Sequence, residues 1–163
     1  MGVYNFPRDL AQGHRAEEIV LTIVKKTYPK AYRIEGCFKY YDIVVPGAGK
    51  TLEVKFDWAV RKTGNYFVET SYNEKDENGD IIPVSCGIAT TLADYWVVVD
   101  SEVVIFIKTE ALKYILRGYR IVTIPPYKTS LGGKGYLIKK LTLLCSPYAL
   151  VINRSDKGAK LNL

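Results

Sequence analysis

The chain has 163 residues, 48% of them hydrophobic and 25% charged, the balance of one ordinary globular domain. Lys and Arg number 23 against 17 Asp and Glu, and a net charge of +6 favours a polyanionic partner through summed long-range attraction. No apolar run reaches the ~18 residues of a membrane span, and the start MGVYNFPRDL lacks the blocks of a signal peptide, so the expectation is an intracellular protein with no membrane partner.

The first periodic segment covers residues 9–27. Ala16, Val20, Ile23, Val24 and Thr27 fall at helical spacing, Asp9 can cap the start and Pro29 ends it. A strand is expected over residues 38–45, then a Pro46-Gly47-Ala48-Gly49 turn and a strand over 50–57. Residues 66–72 read as a third strand and 73–80 as a charged, turn-rich loop. Residues 96–99 and 103–107 read as two buried strands joined by Asp100-Ser101-Glu102. Thr109 is expected to cap a short helix ending near Gly118, with a strand over 121–124 behind it. Residues 125–135 read as a flexible basic loop and 136–145 as mixed apolar and basic. The organisation is a single mixed α/β domain over 1–153, with a loose polar tail over 154–163.

Several chemistries lack their residues. Cys37, Cys86 and Cys145 are widely spaced and odd in number, which argues against a disulfide framework. His14 is the only histidine, so no zinc-ligand spacing exists, and nothing nearby marks it as the base of a Ser or Cys nucleophile. Gly47-Ala48-Gly49-Lys50-Thr51 imitates the end of a phosphate-binding loop. Val44 stands where that pattern needs its first glycine, and the residues after Thr51 alternate like a strand. We read a hairpin turn; a helix after Thr51 would favour a nucleotide hydrolase instead.

Along the second strand Leu52, Val54 and Phe56 share one face, and Thr51, Glu53, Lys55 and Asp57 the other. If the turn pairs Val45 with Lys50, Asp42 lies opposite Glu53 and Tyr40 opposite Lys55, with Cβ atoms ~4.5–5.5 Å apart. Two carboxylates that close repel unless a cation sits between them. Oxygen donors suit Mg²⁺ or Mn²⁺, and Lys55 beside them can stabilise charge developing on a phosphate.

Gly13-x-x-x-Glu17 on the first helix, Asp42 on a strand and Glu53-Val54-Lys55 on the next resemble the PD-(D/E)XK nuclease superfamily. Residues 63–69 (TGNYFVE) and 87–96 (GIATTLADYW) resemble its phage-encoded members related to Holliday-junction resolvases. Tyr41 stands where the superfamily often has proline before Asp42. The resemblance covers residues 13–96. It implies a restriction-endonuclease-like fold, a mixed central sheet flanked by helices. It implies a Mg²⁺-dependent DNA endonuclease, with Mn²⁺ substituting, acting on branched or junction DNA, from a phage or virus in its host cell. It also implies a homodimer that can cut two strands. Asp42, Glu53 and the main-chain carbonyl of Val54 would hold the metal, Lys55 would orient and polarise the attacking water, and Glu17 would bind a metal water or a second metal. Glu17 is preferred to Glu18 because it follows Gly13 by four and lies nearer the buried stripe. The alternative is a non-catalytic nucleic-acid-binding protein that kept the fold.

Lys62 and Asn65, with Arg61 and Thr63, follow the active strand and can grip a backbone phosphate or form an ordinary polar turn. Thr91 can donate to phosphate, or Thr90 and Thr91 can start a helical turn. Lys128 and Lys134, in the glycine-containing loop, can close on DNA or be merely mobile. Glu69 reads as a further site acid or a strand-edge charge, Asp94 as structural and Trp96 as core.

Overall fold

Helix α1 (Phe6–Lys25) lays Ala16, Val20, Ile23 and Val24 against a six-stranded mixed sheet. The helix already runs at Phe6, so Asp9 lies in its first turn rather than at a cap. The structure is a computed structural model and describes residues 6–36, 40–126, 130–156 and 158–163. Cys37, Phe38 and Lys128 therefore lie outside the described residues. No helix among the described residues is long and apolar enough to cross a membrane.

The main sheet contains β1 (Tyr32–Arg33), β2 (Ile43–Val45), β3 (Lys50–Phe56), β6 (Tyr95–Val99), β7 (Val103–Lys108) and β10 (Ala149–Asn153), side by side in that order. β3 and β6 are parallel, and every other pair is antiparallel. The hairpin takes the expected register: Ile43 faces Leu52, Val44 faces Thr51 and Val45 faces Lys50. Its turn closes through Ala48 N–H to the Val45 carbonyl (3.1 Å), with Gly49 at φ +61°, which glycine adopts without a Cβ clash. The strand after Thr51, where a phosphate loop would open a helix, removes the nucleotide-hydrolase reading.

Between β3 and β6 the chain leaves the main sheet. It forms α2 (Val60–Thr63), β4 (Asn65–Lys75) and β5 (Ile81–Ser85). After β7 come α3 (Thr109–Leu116), β8 (Ile121–Ile124), β9 (Gly133–Lys139) and α4 (Lys140–Leu144). β5, β4, β9 and β8 make a second, antiparallel sheet. The main sheet is thus covered on both faces. Leu52, Val54, Val97 and Phe106 pack toward α1, while Trp96, Val98, Ile105 and Ile107 pack toward Tyr66, Val68, Ile138 and Leu112. That double cover explains why β6 and β7 are apolar almost without alternation.

A buried knot joins the two sheets. Asp100, in the β6–β7 turn, accepts hydrogen bonds from Tyr66 Oη (2.5 Å), Lys140 Nζ (2.8 Å) and the N–H groups of Glu102 and Val103. Burial alone would push this carboxyl up. The Lys140, Tyr66 and backbone donors outweigh it and hold it below the ordinary aspartate value.

Several expectations change. The 73–80 loop shrinks to a turn after Lys75, where the Asp76 carboxylate accepts the N–H groups of Asn78 and Asp80. β5 follows despite Pro83, because it is an edge strand and an edge tolerates a missing donor. The 125–135 loop surrenders Gly133, Lys134 and Gly135 to β9. Thr109 opens α3 without capping it, and its buried hydroxyl has no partner among the described residues. The described residues 158–163 pack where a loose tail was expected: Leu161 is 3% exposed in the α1 core, and its N–H donates to Thr27 Oγ1 at 3.1 Å.

Candidate active site

The site forms where β2 stops short. Asp42 precedes β2 and still donates its N–H to the Leu52 carbonyl at 2.8 Å. Its side-chain Oδ2 then accepts the Val54 N–H at 2.6 Å, taking the place of a backbone partner. A strand residue's N–H and C=O point the same way, so the Val54 carbonyl also faces the Asp42 side. The next expected pair, Tyr40 with Lys55, is not made. The Tyr40 carbonyl accepts Leu92 N–H (3.1 Å) and the Thr91 hydroxyl (2.9 Å) instead. The second half of β3 is left without β2 beside it.

Glu53 and Lys55 lie on the face that meets the second sheet, level with Trp96 and Val98 of β6. This is not a solvated polar face: Glu53 is only 6% exposed. Lys55 Nζ sits 2.5 Å from Glu53 Oε1 and 5.4 Å from the centre of the Trp96 ring. Burial pushes the Glu53 carboxyl up and the charge of Asp42 pushes it further, against the pull of Lys55 and Thr91. Burial likewise pushes Asp42 up, against the Val54 N–H and Lys55. Burial favours a neutral Lys55, but Glu53, then Asp42 and Glu69, outweigh it and hold the ammonium charged.

Glu17 enters from α1. With Arg33, Asp42, Val54, Lys55 and Trp58 it lines a cleft of about 760 Å³. Burial and then Asp42 push its carboxyl up. Arg33 Nη1 lies 3.5 Å from both Glu17 and Glu18, and Glu18 is mostly exposed and outside the cleft lining. The structure therefore brings Glu17, Asp42 and Lys55 to one cleft, with Glu53 buried behind Lys55.

The expected phosphate-gripping residues fare unevenly. Lys62 is exposed on α2, four residues after Trp58. Asn65 begins β4 and spends its side-chain amide on the Thr63 carbonyl (2.9 Å). Lys134 is exposed on β9, outside the cleft lining. Thr91 is buried; its hydroxyl donates to the Tyr40 carbonyl (2.9 Å) and accepts the Ala93 N–H (3.2 Å), so its one proton is spent inside the protein. Asp94 accepts from the Thr51 N–H and hydroxyl and is structural, and Trp96 is core. Glu69 sits where the β4–β9 register shifts, facing Lys55 and Cys86. Burial and then Glu69 push the Cys86 thiol up to about 12, which leaves it no thiolate for chemistry.

Sequence reasoning missed Arg33 and Trp58. Arg33 stands in a two-residue strand with no motif around it. Trp58 offered only an aromatic next to Asp57, and its 42% exposure is a tertiary fact.

Among the described residues no group of three or more His, Cys, Asp or Glu side chains is gathered to hold a metal ion. The donors at hand are two carboxylates, Asp42 and Glu53, with the Val54 carbonyl on the Asp42 side. They are all hard oxygen donors. Mg²⁺ takes one or two carboxylates and fills its other positions with water and phosphate, so this set fits it and does not fit a soft metal.

The fold and the site define a mixed α/β protein with an acid–lysine cleft at the end of an interrupted hairpin. No family model and no curated protein matches the sequence. Among solved structures, that of a bacterial homing endonuclease is similar with a TM-score of 0.49 and 20% identity, over 63% of this chain and 70% of that chain.

Proposed function

We propose that this chain is a divalent-metal-dependent DNA endonuclease of the PD-(D/E)XK kind that hydrolyses phosphodiester bonds, branched DNA included. The observation that carries the reading is the set Asp42, Glu53 and Lys55: two repelling carboxylates and a charged lysine, with Asp42 and Lys55 lining the cleft and Glu53 buried behind Lys55. Asp42, Glu53 and the Val54 carbonyl would hold Mg²⁺ or Mn²⁺. The ion, when bound, lowers the pKa of water and neutralises charge on the phosphate. Lys55 would then turn from Glu53 to orient the attacking water and meet the developing negative charge. Glu17 would bind a water of the metal or a second metal. Arg33, held by Glu17 and Glu18, is free to exchange one of them for a phosphate oxygen. The net +6 charge and exposed Lys62 supply the backbone attraction.

The test is cutting and binding of labelled linear and four-way DNA with Mg²⁺, Ca²⁺ or chelator. Wild type should cut with Mg²⁺. Lys55→Ala should cut at least ~10²-fold more slowly, the scale of a lost general catalyst, while DNA affinity stays nearly unchanged. Asp42→Asn should also stop cutting, because an amide is a poorer ligand for a hard cation. A wild type that binds DNA yet never cuts would make the chain a binding protein. Lys55→Ala cutting at the wild-type rate would place the chemistry elsewhere.

A further inference from the structure

A second, smaller hollow of about 290 Å³ opens beside the acid–lysine cleft and shares Lys55, Phe56 and Trp58 with it. Its walls include Trp58, Phe67 and Trp96, and Lys55 and Glu69 stand among them. Trp96 is the buried floor, with Lys55 over its ring. Trp58 is 42% exposed, so part of a large aromatic surface faces the two hollows that it lines.

The walls are held in place. One carboxylate, Asp57, accepts the N–H groups of Ala59 (2.9 Å), Val60 (3.1 Å) and Phe67 (3.0 Å). That ties the end of β3, the start of α2 and the start of β4 together around Trp58. A Cβ on Gly135 would stand 2.5 Å from the Phe67 ring, so the glycine is what lets this ring lie across β9. Glu69 precedes the register shift in β4, and irregularities of that kind re-aim side chains beside sites.

The hollow sits just below the ~300–1,000 Å³ of ordinary small-molecule sites. It is too small for a duplex and suits one planar group. Aromatic walls accept the π-face of any base, and Glu69 accepts a hydrogen bond from a base edge.

We propose that this hollow receives one unpaired nucleobase, so that the preferred substrate is DNA with an unstacked nucleotide next to the bond to be cut. The proposal rests on the endonuclease reading for the cut and on the hollow itself for the base. A paired base would first have to be unstacked, whereas a bulged or junction nucleotide is already free, and that difference is the source of selectivity.

The experiment uses a duplex with a single unpaired 2-aminopurine, a fluorescent base, and the same duplex fully paired. Binding is measured with Ca²⁺ and cutting with Mg²⁺, for wild type, Trp58→Ala and Trp58→Phe. Wild type should bind the bulged duplex about tenfold more tightly, the worth of one base stacked on an aromatic ring, with quenched fluorescence. Trp58→Ala should lose most of the preference and the quenching, and Trp58→Phe should keep most of both. Cuts should map beside the unpaired nucleotide. Equal affinity of wild type for both duplexes, binding to neither, or a preference untouched in Trp58→Ala would overturn the proposal. If either duplex is still cut with Mg²⁺, the endonuclease reading survives that loss. A tenfold preference with no cutting sinks the endonuclease reading and leaves the base site standing.

Discussion

At the scale of single residues, Asp42 shows how a side chain can replace a backbone partner. Its carboxylate accepts the Val54 N–H, and the same bond fixes it beside Glu53 and Glu17. Burial raises its pKa above the ordinary aspartate value. In the unfolded chain it titrates near ~3.9. Between that value and the raised one the folded state holds more protons, so stability falls as pH rises through this window. Asp42→Asn keeps an oxygen for the Val54 N–H and removes the charge. Without metal it should melt about 2–4 °C higher at pH 7, the shift of ~1 kcal/mol in a domain of this size. The gap should close as pH falls through the raised value toward the ordinary one. Thermal melts in chelator at pH 4 and pH 7 measure this, and a variant no more stable at pH 7 would count against stored repulsion. Trp58 and Arg33 belong to this scale too. No spacing marks either of them, because a lone residue gains its role from neighbours far away in the chain.

At the scale of elements, the β2–β3 hairpin was legible because its signals are local. Four turn residues and a period of two set the register, and Ile43 opposes Leu52 as expected. The point where β2 ends was not legible, since it depends on Tyr40 bonding to Leu92 from another segment. β5 was hidden by Pro83, which is tolerated only because the strand is an edge. Gly135 in β9 is the converse, a glycine mistaken for loop that is required by packing. In a strand, replacing glycine normally helps by ~0.5–1 kcal/mol. Here a Cβ would meet both the Phe67 ring and the Val68 carbonyl at 2.5 Å. Gly135→Ala should therefore destabilise by about 1–3 kcal/mol, read from the denaturant midpoint. A neutral or stabilising result would mean that the Phe67 ring is not held where the hollow needs it.

At the scale of the whole molecule, two cores sit on either side of one sheet. The second sheet is assembled from two excursions of the chain, β4 and β5 between the parallel strands β3 and β6, and β8 and β9 between β7 and β10. It turns the Glu53–Lys55 face inward, and so turns an exposed charged strand into a desolvated site. The last residues close the opposite core through Leu161 and Leu163. Leu161→Ala should cost about 2–5 kcal/mol, the range for deleting a buried leucine side chain. Urea unfolding gives the measurement. A loss below a few tenths would restore the loose tail that composition suggested.

The sequence by itself determined the mixed α/β class, the helix over the first core, the hairpin register and the acid–x–lysine strand. Each of these follows from periodicity or turn chemistry within some twenty residues. The tertiary structure alone decided that Glu53 is buried, that the Thr91 hydroxyl is spent on Tyr40, that Arg33 and Trp58 border the cleft and that the chain's end is core. Those facts depend on which segments lie against each other, and residues with the same local pattern would be solvated or buried according to what covers them. A strand records its own alternation, but its sequence does not say what lies above its polar face. Here that cover is a second sheet built from chain on both sides of β6 and β7, and it gives the carboxylates and the lysine their electrostatic setting.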